Sequence, residues 1–397
     1  MDMGINYYQI IKDYIMSIQR EIIVVGGNHH NTLGVIRGLG FGGVKPIVIL
    51  HIGDENDPYV AHSCFIKEIK LVSSVENVLQ VLRDYSKKLV DKAIVIACSD
   101  GTSSLLDMHS EELSEYYILP GSSKQGLLTS IMNKEKMAEL GRSVGFNVPK
   151  SWVVESEKDI DGIEYPCITK PILSKDGHKS DIKVCQNKNE LLEVLKDGSC
   201  YRYQVQKFVE KDFEYQLIGL SLNKGQEIII PGFSRCIRPC PGTNTGFLRY
   251  QSLNTMELPL DKCKDFITQI GYSGLFSIEF LRDKVGTDYF LEMNFRNDGN
   301  SICVTKAGYN LPYLWYAYNT GFDYKAILNK CNFKEVLVMP ELDDFNSFVR
   351  KRKISIWKWI KDVSATDAFM EFDSKDPMPF WIALKQYIGR GIRKVIK

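Results

Sequence analysis

FSIEFL at residues 276–281 and YFLEMNFR at residues 289–296 face each other across a DKVGT turn, and their pairing sets the terms for reading the whole chain. Side chains alternate along a strand, so a period of two puts Glu292, Asn294 and Arg296 on one face and Met293 and Phe295 on the other. In the first segment Glu279 lies between Ile278 and Phe280. Two readings follow. The polar row is either the solvated side of an edge hairpin or a ligand set. Two carboxylates and an amide oxygen are hard donors suited to Mg²⁺, which keeps waters and takes its remaining oxygens from nucleotide phosphates. An arginine two residues on is able to hold an anion beside the metal.

Working outward, residues 151–232 upstream alternate strand and connector. Strands are expected at 151–154, 167–170, 182–185, 203–208, 215–222 and 227–232, with a helix at 188–195 between them, a strand-dominated α+β pattern. Before it, LLTSIMNKEKMAELGRSV at 127–144 predicts one amphipathic helix closed by Gly145, with Pro149 beyond. The first 120 residues differ. IIVVGG at 22–27 reads as a buried parallel strand ending in a tight turn, and a helix over 33–39 and a strand at 46–50 complete a βαβ start. Further strands are expected at 65–71 and 93–97, and a helix at 75–88. This is an open α/β unit with Asn28, His29, Ser99 and Asp100 just past strand ends, where such sheets bind ligands and where turn and cap residues also collect. The glycine pair does not make GxGxxG, so NAD is not expected.

In this order the residues resemble the ATP-grasp ligases, in particular the branch related to the carbamoyl phosphate synthetase large chain, biotin carboxylase and D-aspartate ligase. The family's metal signature, Glu, about a dozen residues, then Glu-x-Asn-x-Arg, stands here as Glu279 and Glu292-Met293-Asn294-Phe295-Arg296. YPCITKP resembles the strand that carries the family's second ATP lysine, here Lys170, and Asn133-Lys134 matches the position of the first, Lys134. VQKFVEKDFEYQL resembles the hinge that reads adenine, with Gln206, Lys207 and Val209 at the base and Glu214 at the ribose. The resemblance covers about 134–308. It implies metal binding by Glu279, Glu292 and Asn294, with Glu292 bridging two ions, and a phosphate or substrate contact from Arg296. The fold implied is α/β, an N-terminal open parallel-sheet domain (1–120) before a two-subdomain α+β ATP-grasp domain (121–330, dividing near 205), then a C-terminal extension (331–397). The chain departs from the family in the loop ILSKDGHKSDIKV, where Gly177 stands alone. Ser174, Lys175, His178, Lys179 and Ser180 are its candidate phosphate donors.

The resemblance implies ATP and two Mg²⁺ ions, or Mn²⁺, as cofactors. It also implies a small carboxylate activated as an acyl phosphate, and an amine or other nucleophile, a thiol included, that displaces phosphate. Such sites work by positioning and by electrostatics, so no Ser-His-Asp or Cys-His nucleophile is required. GFSRCIRPCPGTNTGFLRY (232–250) is the least patterned stretch, and its Arg235, Arg238 and Arg249 are candidates to meet anionic groups. Two rivals remain: a nucleotide-binding regulatory or scaffold protein without turnover, and a phosphoryl transferase whose acceptor is not a carboxylate.

Composition narrows the partners. Of 397 residues, 50 are Lys or Arg and 49 Asp or Glu, so there is no global field to attract nucleic acid. No apolar run approaches the ~18 residues of a membrane helix, the N-terminus lacks the pattern of a secretory signal, and a cytoplasmic location is expected. Ten cysteines without a CxxC fit thiols, and six scattered histidines argue against zinc. RKRKISIWKWIK (350–361) and WIALKQYIGRGIRKVIK (381–397) are basic and amphipathic. They predict helices that pack their Trp and Ile onto the body or meet an anionic membrane or a partner protein.

Overall fold

The computed structural model describes residues 20–171, 182–197, 203–241 and 245–395. Strands β1 (Ile22–Gly27), β2 (Ile47–His51), β3 (Glu68–Val72), β4 (Ala93–Ala97) and β5 (Tyr117–Ile118) form a parallel sheet in the order β3-β2-β1-β4-β5. The run IIVVGG is apolar at every position because both faces are covered. Val24 packs with Leu33 and Trp315 on one side, and Val25 packs with Val78 and Leu82 on the other. A Cβ at Gly26 would lie 2.3 Å from Thr32 Oγ1 and 2.8 Å from Cys98 Cβ. Glycine there lets the helix His30–Phe41 begin close against the strand end.

Strand order reverses between β1 and β4, and the crevice beyond their carboxyl ends is filled by residues from far along the chain. Asn297 N–H donates to Ala97 O at 3.0 Å. The Asn31 amide donates to Cys98 O at 2.9 Å and to Asn297 O at 2.8 Å.

A smaller antiparallel sheet has the order β6-β9-β7-β8, from β6 (Ser151–Val154), β7 (Cys167–Pro171), β8 (Val184–Cys185) and β9 (Tyr203–Lys207). The helix Lys188–Asp197 covers it through Leu191. The largest sheet contains β10 (Lys211–Leu222), β11 (Glu227–Ile229), β12 (Gly232–Pro239), β13 (Gly246–Ser252), β14 (Gly274–Asp283), β15 (Asp288–Asn294), β16 (Val336–Met339) and β17 (Ala368–Phe369). Its order is β15-β14-β10-β12-β13-β16-β17, with β11 beside β10. Tyr215, Phe233, Phe280 and Phe290 on one of its faces pack with Phe266 of the helix Leu260–Ile270.

Three expectations are corrected. The predicted helix over 127–144 is two helices, Leu127–Ile131 and Lys134–Ser143. Asn133 leaves helical geometry (ψ 125°) and its side chain accepts from the N–H groups of Glu135 and Lys136, so a cap outweighs the continuous apolar pattern. The least patterned stretch, 232–250, contains the hairpin of β12 and β13, whose register shifts between Cys236 and Arg238. That bulge breaks the alternation by which a strand is recognised. Residues past 330, read as an extension, return to the body: β16 pairs with β13 and β17 with β16. Buried Arg37 donates to Asp376 at 3.0 Å, which fastens the C-terminal segment to the first helix.

Within that segment Trp359 packs edge-on against Phe345 and donates to Asp344, while Trp357 is 79% exposed. Among the described residues no helix is long and apolar enough to cross a membrane, and nine cysteines carry free thiols.

Candidate functional site

The centre of the site is a row of polar side chains running across four strands. Ser234 on β12 stands opposite Gln216 on β10, Gln216 opposite Glu279 on β14, and Glu279 opposite Glu292 on β15. Glu279 Oε1 accepts from the amides of Gln216 (3.2 Å) and Asn294 (3.1 Å). Asn300 donates to Gln216 Oε1 at 2.7 Å, and the Asn294 amide also donates to Ser277 Oγ at 3.2 Å. Glu214, Gln216, Ser234, Cys236, Glu279 and Asn300 line a cleft. Two carboxylates directly opposite on one face repel, at a cost of up to ~1 kcal/mol for such a pair. The donor chemistry and this repulsion both suit a hard cation at Glu279, Glu292 and Asn294.

Two lysines face this row from separate elements. Lys134 is the first residue of its helix, behind the Asn133 cap. A cation there opposes the helix dipole, so the position does nothing for the helix itself. Burial pulls its ammonium below the usual lysine range, and nearby Glu292 resists the shift. Lys170, on β7, donates to Gln206 Oε1 at 2.9 Å. Burial lowers it as well and the neighbouring charge of Lys134 adds to this, while Glu292, Glu214 and Glu279 act in the opposite direction. Residues from both antiparallel sheets and from the helix before them thus share one electrostatic environment. Two adjacent, partly desolvated ammonium groups make a place for an anion of more than one charge.

Arg296, just past β15, donates to Asp100 Oδ1 at 2.9 Å, to Asp298 Oδ2 at 3.3 Å and to Asn294 Oδ1 at 3.1 Å. Of the strand-end residues singled out in the first domain, Asp100 is therefore joined to the metal-type strand. Ser99 caps the helix Asp100–Met108 and His29 caps the helix His30–Phe41. Asn28 bonds Glu55 and the Val60 N–H.

Other candidates are not brought to the cleft. Register puts Arg235 opposite Tyr215 and Arg249, on the face away from Glu279, and its guanidinium lies 3.9 Å from the Phe213 ring centroid. Arg238 is bound to Asp344 (2.8 Å) and Asp362 (2.6 Å) and ties the C-terminal segment to β12. Neither arginine stands among the reacting groups that the sequence reading assigned to them. Lys207 turns outward to Glu164 at 2.9 Å, and its N–H is bonded to Lys150 O, while Phe208 N–H is bonded to Pro166 O. Val209 remains in the short connection between β9 and β10. Glu214 pairs with Lys211 at 2.7 Å at the cleft's edge. Ser174, Lys175, Gly177, His178, Lys179 and Ser180 lie outside the described residues. Gln216, Ser234, Ser277, Asp298 and Asn300 were missed. Gln216 was within reach, since it follows Glu214 at strand period on a segment already singled out.

No family model matches the chain. It is 24% identical over 259 residues to a D-aspartate ligase of Enterococcus faecium, a match covering 60% of this chain and 61% of that protein. It is 25% identical over 181 residues to a D-alanine–D-alanine ligase of Chromohalobacter salexigens, covering 43% of this chain and 57% of that protein. The matches thus span about three-fifths of those relatives' lengths. Among solved structures, an L-amino acid ligase from Bacillus licheniformis superposes with a TM-score of 0.61 at 14% identity, covering 79% of this chain and 78% of that one. A biotin carboxylase from Campylobacter jejuni gives 0.60 at 14% identity over 77% and 72%. An N5-carboxyaminoimidazole synthetase from Staphylococcus aureus gives 0.58 at 16% over 76% and 78%. The fold of this chain is the ATP-grasp fold, preceded by a parallel-sheet domain.

Proposed function

We propose that this chain is an ATP- and Mg²⁺-dependent carboxylate–amine ligase that forms an acyl phosphate and releases ADP and phosphate. The observation that carries the reading is that Lys134 and Lys170 lie within electrostatic reach of Glu292, and Lys170 also of Glu214 and Glu279, which line the cleft. Lys134 and Lys170 would bind the phosphates of ATP, the connection around Val209 the adenine, and Glu214 the ribose. Glu279, Glu292 and Asn294 would hold the magnesium ions, which neutralise charge on the phosphates when bound. Arg296, fixed by Asp100 and Asp298, is already oriented before substrate arrives, which lowers the reorganisation required for transfer.

The chemistry suits such a set. A carboxylate is a poor electrophile, and phosphorylation converts one of its oxygens into a leaving group that an amine displaces. The relatives named as amino acid ligases support an amino acid or similar small acid as the activated carboxylate. The test is phosphate release from Mg-ATP in the presence of amino acids and small carboxylates, with the carboxylate of each active substrate labelled by ¹⁸O. Label is expected in the released phosphate. Product formation with unlabelled phosphate, or release of AMP and pyrophosphate, overturns the acyl phosphate route, and absence of any substrate-stimulated turnover favours a binding protein.

A further inference from the structure

Beside the cleft lies a second group of polar side chains with no part in the scheme so far. His30 opens the first helix beyond β1. A Cβ on Gly299 would sit 3.3 Å from His30 Nε2 and 3.6 Å from Thr245 Oγ1. The imidazole therefore rests on the loop that follows Arg296 and carries Asp298 and Asn300 into the cleft network. His30 and Glu371 are 4% and 5% exposed; His30 Nε2 has no hydrogen-bond partner, and the Glu371 carboxyl shares a hydrogen bond with that of Glu341. Asp343 completes the group and is exposed, which leaves a way in from solvent.

We propose that His30, Asp343 and Glu371 form the subsite that receives the attacking amine as its ammonium ion, and that Glu371 takes the proton released before attack. This rests on the ligase reading above. Three acceptor atoms, one from each residue, lie within 4.8 Å of one another, and His30 Nδ1 is 3.6 Å from Glu371 Oε1. One ammonium has three N–H donors and, at bond lengths of about 2.9 Å, can reach acceptors that lie no farther apart than 4.8 Å. Burial lowers the imidazole to about 4, so it is neutral at pH 7 and has a lone pair to offer. Among the described residues no lysine or arginine forms an ion pair with Asp343 or Glu371. Arg37, the nearby cation, is held by Asp376 and by the carbonyls of Met370, Glu371 and Asp376. A buried imidazole with an unpartnered edge, beside carboxyl groups that no lysine or arginine pairs with, calls for a cation that donates hydrogen bonds.

Burial also pushes Glu371 up to about 7, in the range useful to a base at neutral pH. The groups around it are His30, Asp343, Arg37 and Glu341, with Asp298 and Tyr59 close behind. In the step itself one ammonium N–H bond breaks and its proton goes to the Glu371 carboxylate. The freed nitrogen pair forms the C–N bond, the bond from carbon to the phosphoryl oxygen breaks with its electrons on phosphate, and the second N–H proton leaves with phosphate.

Hydroxylamine, which is mostly free base at neutral pH, traps an acyl phosphate without needing a proton acceptor. The full-length protein, with Mg-ATP and a panel of amino acids as both acid and amine, is compared for amide and hydroxamate formation. Glu371→Gln should reduce amide formation by about a hundredfold while hydroxamate formation stays near wild type. Asp343→Asn, at an exposed position that does not threaten folding, should raise the KM of the amine and leave hydroxamate formation alone. Variants that lose both products equally, or retain both, overturn the subsite. If the wild-type protein forms neither product, the ligase reading fails and the subsite falls with it.

Discussion

Replacing Glu371 by Gln should stabilise the protein at alkaline pH and do little at acid pH. Burial is the main cause that raises this carboxyl from 4.5 to about 7, and Asp343 adds to it against the opposing effects of Glu341 and Arg37. The folded protein therefore keeps the proton over a range where the unfolded chain has released it. That contribution to stability is complete below pH 4.5, declines as pH rises, and is gone above about 7. The slope is about 1.4 kcal/mol per pH unit, so the interval from 4.5 to about 7 amounts to ~3 kcal/mol. Glutamine resembles the protonated acid and does not titrate. Urea denaturation at pH 4.5 and pH 8, followed by tryptophan fluorescence, should show the gap between variant and wild type widening by ~3 kcal/mol in the variant's favour. A gap of the same size at both pH values would refute the claim that the folded protein holds this carboxylate at a penalty.

Lys170→Ala removes a charged hydrogen-bond donor and should weaken ATP binding by ~1.5–3 kcal/mol in a calorimetric titration; unchanged affinity would take Lys170 out of the nucleotide site. Glu292→Gln preserves size but removes a negative charge beside Glu279, so Mg²⁺-dependent turnover should collapse while the far-UV spectrum is unchanged. Ordinary activity in that variant would disprove its role. Arg238→Met leaves Asp344, which is 0% exposed, without its ion-pair partner, and should cost ~3–5 kcal/mol of stability. In temperatures where it stays folded, nucleotide affinity should be normal, and a selective loss of that affinity would return Arg238 to the site.

How much of this was legible beforehand depended on the range of the interaction. The IIVVGG strand, the metal-type pair 276–281 and 289–296, and the helices at 76–86 and 188–197 follow from local apolar pattern, and the structure has them within a few residues. Asn133 misled because a cap depends on one side chain meeting two backbone N–H groups, an event that periodicity does not register. Arg238 shows why its role was hard to read, because an arginine's type says that it can meet an anion but not which anion it finds.

Within YFLEMNFR, strand alternation alone aligned Glu292, Asn294 and Arg296, since side-chain direction there is a property of neighbouring residues. Only the tertiary structure could bring Lys134 and Lys170 toward Glu292, set Arg238 against buried Asp344, or place His30 beside Glu371. Those pairings require two chain segments to be held together by sheet order and core packing, and burial then decides which charges are tolerated and which seek a partner.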